Sequence, residues 1–200
     1  MKTTNRTAGA SGYRLKKRLK TGCVALATGL MSLGAVEAQP VTVEYNKIVM
    51  VVTGTAPNEK LEIDREDTRV KSCNQNKPGC VEVSAGNMAE FELRIKQGRN
   101  DCAGNDGKWS IQKVLLGGEV AGNDPGDKPG NWGNLSEVAA SDFNADAGTG
   151  EVKLTRVGNN RAKFYDTNTA NYSIWYNVFA ELCGTGRTIE LDPSVTNRGK

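Results

Sequence analysis

Asp142-Phe-Asn-Ala-Asp-Ala-Gly-Thr-Gly-Glu151 holds the side chains best spaced to bind a ligand in this 200-residue chain. Oxygens at Asp142, Asn144 and Asp146 alternate, with Glu151 beyond them, as at the start of a D-x-[DN]-x-[DN] calcium loop. The match is incomplete: glycine arrives one position late, at Gly148 after Ala147, and Lys153 stands where a bidentate glutamate belongs. Asx-rich turns use the same residues without any metal. Calcium is therefore the one cofactor the sequence suggests, and a plain turn is the competing reading.

Two other constellations could carry catalysis. Ser110-Ile-Gln-Lys113 has the S-x-x-K spacing of a serine activated by lysine, which requires both residues on one helical face. Here it lies in an alternating, strand-like stretch, where positions i and i+3 are expected on opposite faces. Glu62, Asp64, Glu66 and Asp67 supply carboxylates that could serve as a glycosidase pair. A charge cluster at a strand end reads equally well as a solvated loop. Histidine is absent from the whole chain, which removes Ser-His-Asp and Cys-His catalysis and the common zinc hydrolase sites. The expectation is a protein that is not an enzyme.

Aromatic residues give the remaining signal. In Tyr172 to Leu182 the residues Tyr172, Ile174, Tyr176, Val178, Ala180 and Leu182 alternate, as a strand with one buried face requires. Trp175 and Phe179 then point the other way. Covered by a loop residue such as Trp132, they are core; left open, Trp132, Trp175 and Phe179 form a patch for a protein or glycan partner.

The elements that must position these residues begin after an export signal. A basic block from Arg14 to Lys20, an uncharged run from Val24 to Val36, and small residues at Val36-Glu37-Ala38 have the layout of a secretory signal peptide spanning residues 1–38. The leader carries seven of the 26 basic residues and one of the 23 acidic ones, leaving 19 against 22. The net charge thus turns from +3 to −3, a poor match for nucleic acid. No later stretch is long and apolar enough to cross a bilayer. The expected location is the periplasm or the cell surface.

Residues 39–200 are expected to form one domain with four cysteines. Three pairings are possible; the short Pro-Gly loop between Cys73 and Cys80 makes their closure easy, and that pairing leaves Cys102 with Cys183. About eight short strands separated by Gly/Asn/Asp/Pro loops predict an all-β, antiparallel sandwich of immunoglobulin-like form, with a small barrel as the alternative. The first strand is expected over about 41–53, bulged near Asn46-Lys47 where the alternation changes phase. The last is expected to stop at Asp192-Pro193, with a frayed tail from about Ser194. The functional expectation is a non-catalytic binding or structural module. The alternatives are a fibre subunit that donates Val41 to Val52 to a neighbour's sheet, and a carboxylate-based hydrolase.

Overall fold

The computed structural model describes residues 41–71, 78–99, 102, 107–121, 125–157 and 160–199. Residues Gln39–Lys200 form one compact unit, and residues 1–38, with the expected leader, lie outside the described residues. The described chain runs β1 (Val43–Thr53), β2 (Lys60–Ile63), β3 (Val81–Val83), β4 (Met88–Ile95), β5 (Trp109–Val120), α1 (Glu137–Asp142), β6 (Thr155–Arg156), β7 (Arg161–Asp166), β8 (Ser173–Leu182), β9 (Arg187–Leu191) and β10 (Ser194–Asn197).

Among the described residues ten strands, against the eight or so expected, make two sheets. Sheet A has the order β2-β1-β4-β7-β6; sheet B has β3-β10-β8-β5, with β9 also on β8. The two sheets are separate, so the barrel alternative does not hold. Nor is the pairing wholly antiparallel. β1 runs parallel to β4, and β3 runs parallel to β10. Both sheets are therefore mixed.

Apolar alternation explains the core. Phe91 and Phe164 stack across β4 and β7 with ring centroids 4.5 Å apart, and Phe164 lies 6.3 Å from Tyr176 of the other sheet. Ile48, Met50 and Leu93 of sheet A join Val83, Leu116, Ile174 and Val178 of sheet B in the same buried cluster. β8 is the strand around which sheet B is built. β5 lies along one edge, while β9 and β10 share the other, and the Pro193 carbonyl between them accepts from the Tyr176 N–H at 2.9 Å.

That arrangement corrects the expected frayed tail. Ser194–Asn197 is fully buried and paired on both sides. Pro193 lacks an N–H, but its carbonyl stays in the ladder, so it bends the chain there without ending the sheet.

The expected bulge in β1 is also absent. Pairing with β4 runs unbroken from Val43↔Met88 to Met50↔Ile95. The phase changes because Val43 and Tyr45 face solvent while Asn46, Ile48 and Met50 face the core. Asn46 is tolerated inside because its side-chain oxygen accepts from the Lys71 N–H at 3.3 Å.

Cys102 and Cys183 are joined by a disulfide, with Cα atoms 4.8 Å apart. Cys80 is also disulfide-bonded; Cys73, its expected partner, lies outside the described residues.

Gly150 shows how closely the loop before β6 approaches sheet B. Its φ is +68°, and an added Cβ would lie 2.2 Å from the Leu116 carbonyl oxygen. Gly150→Ala is expected to destabilise the protein by well over about 1 kcal/mol. The reading is the urea midpoint at unchanged slope, and an unmoved midpoint would contradict the constraint.

Candidate functional site

The four residues of the expected calcium loop are not brought together. Asp142 is the last residue of α1, whose start is capped by the Ser136 hydroxyl accepting from the Ala139 N–H. The helix turns the Asp142 side chain inward. Oδ1 accepts from the hydroxyls of Thr167 and Thr169 at 2.6 and 2.7 Å, and Oδ2 accepts from the Thr169 N–H and the Tyr172 hydroxyl at 2.8 and 2.7 Å. Burial pushes its pKa up, but those hydrogen bonds outweigh it and hold the carboxyl below its ordinary value. Asp146 instead closes its own turn, accepting from the N–H groups of Gly148 and Thr149. Asn144 and Glu151 are exposed beside it, with Lys153 lining the same shallow depression. Among the described residues no group of three or more His, Cys, Asp or Glu is placed to hold a metal ion.

Ser110 and Lys113 differ from their expected placement. A bulge between Ile111 and Lys113 resets the alternation, so Ser110 pairs with Glu181, Lys113 pairs with Phe179, and both fall on the outer face of β5. The hydroxyl-bearing Ser110 is nonetheless fully buried, and the Lys113 ammonium sits 4.8 Å from the Phe179 ring centroid.

The aromatic patch is half covered. Trp132, Trp175 and Phe179 are each half-buried on the outer face of sheet B. Gly117 and Gly118 let the loop come down onto that face. A Cβ at Gly117 would meet Trp132 at 3.1 Å, and one at Gly118 would meet Trp175 at 3.1 Å and Pro129 at 3.2 Å. Lys128 fastens the loop through ion pairs to Glu190 and Asp192, and its ammonium lies 5.9 Å from the Trp132 ring.

Two features escape a reading by motif. One is buried. Asp166, at the end of β7, is completely inaccessible; its Oδ1 accepts from the Asn168 N–H at 2.8 Å and from the Asn197 amide at 3.2 Å. Asn197 belongs to β10, so this carboxyl ties sheet A to sheet B. Burial pushes its pKa up to about 7, and the nearby Asp142 charge adds to the rise. Its Oδ2 has no hydrogen-bond partner among the described residues. Asn168 extends the network, donating to the carbonyls of Ser84 and Asn87 and accepting from the Gly199 N–H. Both carboxylates are closed to any substrate.

The second feature is exposed. Tyr45, Glu90 and Tyr165 stand in one cross-strand row on the outer face of sheet A. Glu90 pairs with Lys163 and lies between the two tyrosines. Burial pushes the Glu90 pKa up, and the Lys163 ammonium with the tyrosine hydroxyls more than offsets it, leaving it below its ordinary value. Val41, Val43, Tyr45 and Tyr165 are four of the five large exposed hydrophobic residues found among the described residues. The visible signal in the sequence is the phase change after Tyr45.

No protein-family model and no curated protein matches this chain.

Proposed function

We propose that the protein is an exported, non-catalytic binding module of the periplasm or cell surface, built as an immunoglobulin-like β-sandwich. The leader-like layout of residues 1–38 and the Cys102–Cys183 disulfide support export into an oxidising compartment. The core shared by the inward residues of both sheets supports a two-layered sandwich. The observation that carries the binding role is the outer face of sheet A. Exposed apolar residues there are grouped around the row Tyr45–Glu90–Tyr165 rather than scattered, the arrangement that marks contact surfaces.

The fibre alternative draws less support. β1 is spent on its own chain, pairing with β4 over Val43–Met50 and with β2 over Met50–Thr53. The Arg69 backbone also bonds Lys47 in both directions. The hydrolase alternative fares similarly, because Asp142 and Asp166, neighbouring carboxyls whose pKa values are shifted in opposite directions, are both buried.

The test is co-sedimentation with a bacterial envelope preparation. Wild type is expected in the pellet, and a Tyr45→Ala/Tyr165→Ala variant is expected to be retained roughly tenfold less. Equal partition of the two proteins would refute the assignment of this face.

A further inference from the structure

Glu90 and Lys163 belong to the solvent side of sheet A, yet Glu90 is only 7% exposed and the Lys163 side chain only 16%. Something on the surface roofs them. The Lys163 ammonium donates to the Tyr45 hydroxyl at 3.1 Å and lies 5.3 Å from the centroid of that ring. Tyr165 stands on the opposite side of Glu90, as its register partner on β7. The Tyr45 ring is therefore held over the ion pair at its hydroxyl end, and Tyr165 flanks the pair from the next strand. Their other faces remain in water, since Tyr45 is 64% and Tyr165 43% exposed.

The result is a pair of exposed aromatic surfaces, of which Tyr45 is preorganised by Lys163. Tyr45 and Tyr165 lie two strands apart in one row, and at the usual strand spacing their Cα atoms are about 10 Å apart. Charge beneath and beside them is compensated, Glu90 by Lys163 and Glu92 by Arg161. A polyanion or polycation gains nothing from such a centre. An apolar protein hot spot wants a pocket sealed from water, and these two rings instead stand open to solvent. A sugar ring fits: its C–H face stacks on an aromatic face, and its hydroxyls stay wet at the rim. In an extended β-linked chain every second ring presents the same face, which matches a two-ring platform.

We propose that the Tyr45–Glu90–Tyr165 row binds an extended, neutral, β-linked polysaccharide, one sugar stacking on each tyrosine. This rests on the binding role assigned above to the same face, and it names the ligand class. Holding the Tyr45 ring in place before binding lowers the ordering cost that a flexible platform would incur.

Native affinity electrophoresis in gels containing hydroxyethyl cellulose or mixed-linkage β-glucan tests it, with gels containing soluble starch or alginate alongside. Retardation is expected in the β-glucan gels only. It should weaken roughly tenfold in Tyr45→Ala and in Tyr165→Ala, and persist in Tyr45→Trp, which keeps a ring. Both tyrosines are exposed, so an unchanged thermal midpoint confirms that the alanine variants stay folded. Retardation by alginate alone, or its loss in Trp175→Ala with both tyrosine variants unaffected, would overturn the proposal. Envelope retention that depends on the tyrosines, without retardation in either glucan, would overturn the ligand class and leave the contact face standing. Tyrosine independence in both experiments would remove both.

Discussion

Replacing Cys102 and Cys183 together by alanine is expected to cost about 4.5 kcal/mol of stability, the chain-entropy value for closing a loop of this length. The bridge spans 81 residues and joins the turn region after β4 to the end of β8. Cut, the unfolded chain regains the freedom of the segment that holds β5, β6, β7 and β8. For a domain of this size the thermal midpoint should fall by roughly 9–18 °C. Urea unfolding is the cleaner reading, because the denatured chain also becomes less compact and the slope should rise with the loss of midpoint. Removing both cysteines avoids a stray thiol that could exchange with Cys80. A loss below about 1 kcal/mol would mean that native strain or residual denatured structure cancels the entropic term.

The second large effect concerns Asp166 and depends on pH. Its carboxyl titrates near 3.8 when free of the fold and at about 7 within it. Below pH 4 it is protonated in both states and contributes nothing. Between pH 4 and 7 the unfolded chain ionises while the folded chain keeps its proton, so stability falls as pH rises, by about 4 kcal/mol in all. Above pH 7 the loss is constant. Asp142, Glu44 and Asp146 act in the opposite sense, because their folded pKa values are lowered. Their contribution is present above the unfolded pKa and is lost as pH falls through the folded one, below about pH 4.

Asp166→Asn separates the two. Its oxygen can still accept from Asn168 and Asn197, and its amide never ionises. The variant is expected to be more stable than wild type at pH 8, with the advantage vanishing by pH 4. Urea midpoints across that range check it. An offset that does not change with pH would show that Asp166 is ionised throughout.

How much of this was legible in the residues depends on which physical cue each element carried. The β8 strand announced itself through Tyr172, Ile174, Tyr176 and Val178, because a strand buried on one face must alternate. The first strand was likewise readable, expected over about 41–53 and found at Val43–Thr53. β10 was not, because Pro193 looks like a stop until its carbonyl is seen accepting from Tyr176. Asp142, Asn144 and Asp146 have the spacing of ligands on an extended loop, but a helix ending at Asp142 turns the first of them into the core. Most telling is β1. Its change of phase was visible, and a bulge explains such a change locally, whereas the actual cause is an apolar surface at Val43 and Tyr45 that no local rule requires.

The burial of Ser194–Asn197 has a consequence for the order of assembly. Val81 finds its neighbour only when Val195 arrives, and Ile174 must wait for the same residue. A chain still emerging from the machinery that delivers it therefore presents β3 with a bare edge and β8 only partly flanked, whatever has collapsed earlier. Sheet B is completed by pairing segments far apart in sequence, the kind of contact that forms slowly. Until residue 197 is released, holding the chain open is safer for it than letting it begin.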